Sequence, residues 1–170
     1  LARQALELLG ANIRQVCEKP DDRDARANML LGSMLAGMAF ANSPVAAVHA
    51  LAYPLGGHFH VPHGLSNALV LPHVMDFNMP AASAQYLELA DLCFPELKAV
   101  ATDKKLDSLL EKTSNLSKDL GLESTLREVG VTENDLELLA GDAMKQTRLL
   151  INNPREMTYD AALDIYQRAL

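Results

Sequence analysis

The stretch His49-Ala-Leu-Ala-Tyr53-Pro-Leu-Gly-Gly57-His58-Phe-His60-Val-Pro-His63-Gly-Leu-Ser-Asn67-Ala-Leu-Val-Leu-Pro-His73 holds all five histidines of the 170-residue chain. Apolar residues at helical spacing flank a middle rich in Pro and Gly, so the stretch reads as helix, sharp bend, helix. Imidazole binds metals and moves protons near neutral pH, which makes this window the place to seek chemistry.

Working outward, the same helical spacing recurs on both sides and no run alternates as a strand would. Upstream, the spacing predicts a helix over Leu1–Glu18 and another over Asp24–Ala41, the latter apolar nearly all round in its later half and therefore expected to be buried. Ser33, Gly37 and Ala41 form a stripe of small residues on it, expected to let another backbone pack closely. Ser43-Pro44 reads as a capped helix start, with the helix ending near Tyr53 at Pro54 and Gly56-Gly57. A turn is expected over 57–61, then a helix from His63 to about Phe77. Downstream, helices are expected from Ser83, around Leu106–Leu120 with a stop at Gly121, and from a capping box at Thr132–Asp135. Asn152-Asn153-Pro154-Arg155 breaks the chain, and Thr158 starts the last helix. The expected fold is all-α, with residues 1–170 as one helical metal-binding domain.

Composition narrows the function. Apolar residues make up 49% and Trp is absent, so the core must come from Leu, Ala, Val and Met. A formal charge of -7, with basic residues scattered, argues against nucleic acid or an anionic membrane as partner. The longest apolar run, Met29 to Ala41, is too short to span a bilayer, and no signal peptide is visible. Cys17 and Cys93 match no metal or redox spacing and read as core filler in a reducing compartment. The expected location is cytoplasmic. A helical pattern already runs at Leu1 without a cap and still runs at Leu170, so the chain is expected to be part of a larger protein.

Within the window, His49 and His63 sit on helices that a bend between them can fold together. Two imidazoles suit Fe(II) or Zn(II), yet a catalytic zinc normally takes three protein ligands. Asp76 lies roughly 20 Å from His63 along an ideal helix and does not complete the set. His58 and His60 read as surface or hydrogen-bonding histidines, and His73 as structural. Spacing alone leaves a metal site and a pair of structural imidazoles both open.

The run Ala36-Gly-Met-Ala-Phe40-Ala-Asn42, then Val48-His49-Ala-Leu-Ala-Tyr53-Pro-Leu-Gly-Gly57, Pro62-His63-Gly64 and Leu71-Pro-His73, with Asn153-Pro154-Arg155-Glu156 late in the chain, resembles the iron-containing (group III) alcohol dehydrogenases. The resemblance covers essentially the whole chain. It implies the all-helical C-terminal domain of that fold, which is shared with dehydroquinate synthase, without the N-terminal α/β domain that binds NAD or NADP through a Gly-rich loop. In the family a divalent metal, iron or sometimes zinc, is held by an Asp-x-x-x-His pair and two later histidines fourteen residues apart. The later two map onto His49 and His63, and the Asp-x-x-x-His pair has no counterpart here. Where many members carry a further histidine suspected of relaying protons, this chain has Tyr53, a pocket-lining or relay position. Phe40 matches an aromatic beside the substrate, although a core aromatic would read the same.

The resemblance further implies hydride transfer between a small alcohol and NAD(P), with the metal polarising the alcohol oxygen and the chain alone inactive. It also allows a homo-oligomer. Two other readings stay open: a metal-free relative such as maleylacetate reductase, and a non-catalytic helical module that binds a metal or a partner protein.

Overall fold

In the computed structural model, which describes residues 1–170, eight α-helices follow one another without a strand: α1 Ala2–Glu18, α2 Arg23–Phe40, α3 Ala47–Phe59, α4 His63–Cys93, α5 Thr102–Asp119, α6 Leu136–Met144, α7 Thr147–Leu150 and α8 Tyr159–Ala169. Single 3-10 turns at Pro95–Ala99, Arg127–Val129 and Glu133–Asp135 join some of them. No helix is long and apolar enough to cross a membrane. Several ends obey local chemistry. The Asp22 carboxylate caps α2 by accepting from the Asp24 and Ala25 amides, and Thr158 caps α8 by accepting from the Ala161 amide. Thr132 and Asp135 close a capping box, and Gly121 takes the left-handed conformation (φ +74°) just past α5. Ala82 (φ -133°, ψ 17°) kinks α4 immediately before Ser83.

The helices gather into two compact units. One comprises Leu1–Pro44 and Ser83–Lys112, the other Val45–Ala82 and Thr113–Leu170. In the first, α1 and α2 pack closely at Gly32: a Cβ there would meet the Leu9 side chain at 2.9 Å. The stripe Ser33-Gly37-Ala41 does not serve this purpose, because all three residues are exposed and nothing lies within 4 Å of a Cβ on Gly37. The expectation that the later half of α2 is buried also fails. Leu30 is 74% exposed, and Leu31, Met34, Met38 and Phe40 are exposed with it. One side of α2 meets α1.

The second unit surrounds α3. Ala47, Ala50, Leu51, Ala52, Pro54 and Leu55 are all buried, packed among Leu69, Val70 and Val74 of α4, Leu139 and Ala140 of α6, and Ile165 and Tyr166 of α8. This burial explains two departures from expectation. The helix does not begin at Ser43-Pro44 but at Ala47, without a side-chain cap. It also runs on through Pro54, Gly56 and Gly57 to Phe59. Proline and glycine disfavour a helix interior by about 3 and 1 kcal/mol, but the burial of Ala50, Leu51, Ala52, Pro54 and Leu55 in the core outweighs that local preference. The helix ends instead at His60, whose left-handed conformation (φ 56°, ψ 24°) terminates it. Histidine is enriched among the few non-glycine residues found there.

Tyr166 anchors α8 to α3. It is fully buried and donates its hydroxyl to the Leu51 carbonyl at 2.6 Å, and burial raises its pKa above the ordinary 10. Tyr166→Phe is expected to lower stability by about 1 kcal/mol, the worth of one buried hydrogen bond, as a shift of the urea midpoint at unchanged slope. No shift would mean that this bond contributes nothing.

Candidate metal centre

His49 lies in the first turn of α3, because that helix starts later and runs longer than expected. His63 is the first residue of α4. Only residues 60–62 separate the two helices, and this bend is fixed from below by Ser66. Its hydroxyl, buried, donates to the Val61 carbonyl (3.1 Å) or the Pro62 carbonyl (3.2 Å). Further upstream, the Asn152 amide donates to the Val45 carbonyl at 3.0 Å and holds the strand of chain leading into α3. The bend is therefore made by His60-Val61-Pro62, and the two glycines belong to the helix.

The result is a cluster of three rings. The centroids of His49 and His63 are 5.2 Å apart with the planes tilted by 56°. Tyr53, one turn along α3 from His49, sits 6.2 Å from His49 and 6.1 Å from His63. A divalent cation about 2.1 Å from an imidazole nitrogen stands about 3.2 Å from the ring centre, so two imidazoles at tetrahedral angles put their centres about 5.2 Å apart. The spacing of His49 and His63 fits a shared cation. No group of three or more His, Cys, Asp or Glu side chains converges anywhere in the chain.

Asn67 supports His63 from the next turn of α4. Its amide donates to the His63 carbonyl at 2.9 Å. The same amide nitrogen lies 3.2 Å from Nε2 and 3.5 Å from Nδ1 of the His63 ring. A donor so nearly equidistant from both nitrogens cannot lie along the in-plane lone pair of either, so the ring keeps a lone pair for a metal. Nothing in the amino-acid pattern marks Asn67 as important except its spacing of one turn from His63.

Burial and then the neighbouring His63 push the pKa of His49 below the ordinary 6.5. Both causes penalise the imidazolium, so the ring stays neutral, as a metal ligand must be, at a pH where a free histidine already takes a proton. The sign for stability follows. As pH falls through 6.5 the unfolded chain binds this proton first, and the folded state loses stability. An NMR titration of the ring protons is expected to place the His49 midpoint below 6.5, with His63→Ala moving it partway back. A midpoint at or above 6.5 would contradict this.

The remaining histidines do not join the cluster. His58 pairs with Asp142 of α6 at 2.6 Å (Nε2 to Oδ2), and Asp142 also accepts from Lys145. Both partners hold the Asp142 carboxyl below its usual range, Lys145 foremost. His60 is exposed at the bend. Burial, and then the charge of Arg168, lower the pKa of His73, which also faces Asp76 and Asp164. Asp76 is itself bound to Arg168 at 2.6 Å. Phe40 ends α2 in the other unit and is 56% exposed, so it is no core aromatic. The late Asn153-Pro154-Arg155 is a structural lock: Asn153 and Asn78 exchange amide hydrogen bonds at 2.8 and 3.0 Å. Arg155 donates to the Phe77 carbonyl at 2.9 Å and lies 4.2 Å from the centre of the Phe77 ring.

Comparison with known proteins places this geometry in a family context. The model of the Fe-containing alcohol dehydrogenase family, C-terminal, matches residues 1–170. Long-chain-alcohol dehydrogenase 1 of Geobacillus thermodenitrificans is 36% identical over 169 residues, which is 99% of this chain and 43% of that protein. 1,3-Propanediol dehydrogenase of Klebsiella pneumoniae is 34% identical over 168 residues, again 99% and 43%. Among solved structures, a 1,3-propanediol oxidoreductase superposes with a TM-score of 0.91 at 33% identity, covering 99% of this chain and 44% of that one. The chain thus spans less than half the length of the relatives it matches.

Proposed function

The chain belongs to the Fe-containing alcohol dehydrogenase family, as its C-terminal part, and we propose that it is the helical, metal-binding part of an enzyme interconverting alcohols with aldehydes or ketones. The observation that carries this reading is the 5.2 Å spacing of the His49 and His63 rings. Two relatives named for alcohol dehydrogenation, one on long-chain alcohols and one on 1,3-propanediol, support an alcohol as substrate class.

A divalent cation, Fe(II) or Zn(II), supplies Lewis-acid polarisation of the alcohol or carbonyl oxygen. His49 and His63 hold it through neutral imidazoles, and the bend locked by Ser66 keeps their rings converged. Polypeptide outside these 170 residues completes the ligand set. Tyr53 borders the same point and passes a hydrogen bond to the reacting oxygen. The hydride acceptor, NAD or NADP, is bound outside this chain as well: the pair Gly56-Gly57 lies inside α3 and cradles no phosphate.

Residues 1–170 alone are expected to oxidise no alcohol with either nucleotide. A longer polypeptide containing them is expected to do so in a metal-dependent manner, with activity lost on chelation. Robust turnover by the 170-residue chain, or full activity of the longer one without metal, would contradict the reading.

A further inference from the structure

We propose that Asn67 is a positioning residue, whose side-chain amide fixes the tilt of the His63 ring for the shared cation. This rests on the metal reading above and adds no ligand to it. Asn67 stands one turn after His63 on α4, and its amide nitrogen donates to the His63 carbonyl at 2.9 Å. In an α-helix that carbonyl already accepts from the backbone amide four residues on. The side-chain bond is therefore surplus to the helix, and its effect is to hold the amide still. The same nitrogen lies 3.2 Å from Nε2 and 3.5 Å from Nδ1 of His63. A point in the ring plane at those distances from both nitrogens would overlap a ring carbon, so the amide lies over a face of the imidazole. An N–H contact to that face restrains the ring, while the in-plane lone pair stays clear for a metal.

The oxygen of the same amide supplies the second observation. Asn67 Oδ1 is shut off from solvent and has no hydrogen-bond partner. Turning the amide over gives no relief, because it would set Oδ1 against the His63 carbonyl oxygen, two acceptors face to face. A buried acceptor without a donor lowers stability, and in a folded protein such a group calls for a reason. The reciprocal amides of Asn78 and Asn153 show the contrast, since both of those oxygens are satisfied, at 2.8 and 3.0 Å. At position 67 an apolar side chain of the same size would leave no orphan. The amide thus costs the fold something and holds its donors on His63.

The test separates metal affinity from stability. Zn(II) is titrated calorimetrically into the whole polypeptide that carries these residues, and the metal-free protein is unfolded in urea. Asn67→Leu is expected to bind Zn(II) about tenfold more weakly. Its urea midpoint should stay level or rise, because the orphaned oxygen leaves with the amide. Asn67→Ala repeats the measurement without the larger side chain, and the same loss of affinity is expected. Unchanged affinity in both variants, or affinity that falls only together with the midpoint, would overturn the positioning role and leave the metal centre standing. No Zn(II) bound by the unsubstituted protein would overturn the metal centre and this inference together.

Discussion

Alanine in place of His49 or of His63 is expected to weaken binding of Zn(II) or Fe(II) about a hundredfold. A complete four-ligand zinc site is worth about 10–16 kcal/mol, so each imidazole supplies about 3 kcal/mol, and every 1.4 kcal/mol is a factor of ten. The two substitutions act on one ion, so either should weaken the same single binding event, and the double variant should bind more weakly than each single one. Neither side chain belongs to the core: His63 is exposed and His49 half-buried, so the fold should survive. Isothermal titration of the three variants against the unchanged protein checks this. Equal affinities would remove the metal site, and loss of one of two bound equivalents in each single variant would mean two separate sites.

The second large effect is structural. A Cβ on Gly10 of α1 would overlap the carbonyl oxygen of Cys93 and lie 2.7 Å from that of Leu92. These are backbone atoms at the end of α4, and they cannot step aside by changing a rotamer. Gly10→Ala is therefore expected to destabilise the first unit by about 3 kcal/mol, the upper end of what overpacking costs, despite the gain of about 1 kcal/mol in helix propensity. Gly32→Ala provides the contrast, since its Cβ would press on the Leu9 side chain, which can rotate. Chemical denaturation should rank Gly10→Ala well below Gly32→Ala. Equal stabilities would mean that α1 and the end of α4 are free to separate.

What the residues reveal by themselves is chemistry that acts within one turn of chain. The Thr132–Asp135 capping box, the Thr158 cap, the stop at Gly121 and the restart at Ser83 each depend on neighbours a few positions away, and each lies where it was expected. The helix-breaking reading of Pro54 and Gly56-Gly57 fails because it weighs local propensity alone, whereas α3 buries Leu51, Ala52, Pro54 and Leu55 in the core. For α2 the error runs the other way. An apolar helix states what would be favourable to cover, not what covers it. The reciprocal amides of Asn78 and Asn153, and the Tyr166 bond to Leu51, join positions far apart in the chain and leave no local trace. The short helix α7 was likewise missed, its four residues being too few to show a period. At the candidate site, the pairing of His49 with His63 was legible, though its route was not: the bend is three residues long and ends both helices abruptly.

The most direct measurement is X-ray anomalous scattering from crystals of the protein soaked in Zn(II) or Fe(II). One peak is expected, about 2.1 Å from a ring nitrogen of His49 and a ring nitrogen of His63. Saturated crystals with no peak between those two rings, or with the rings turned apart, would contradict a shared cation.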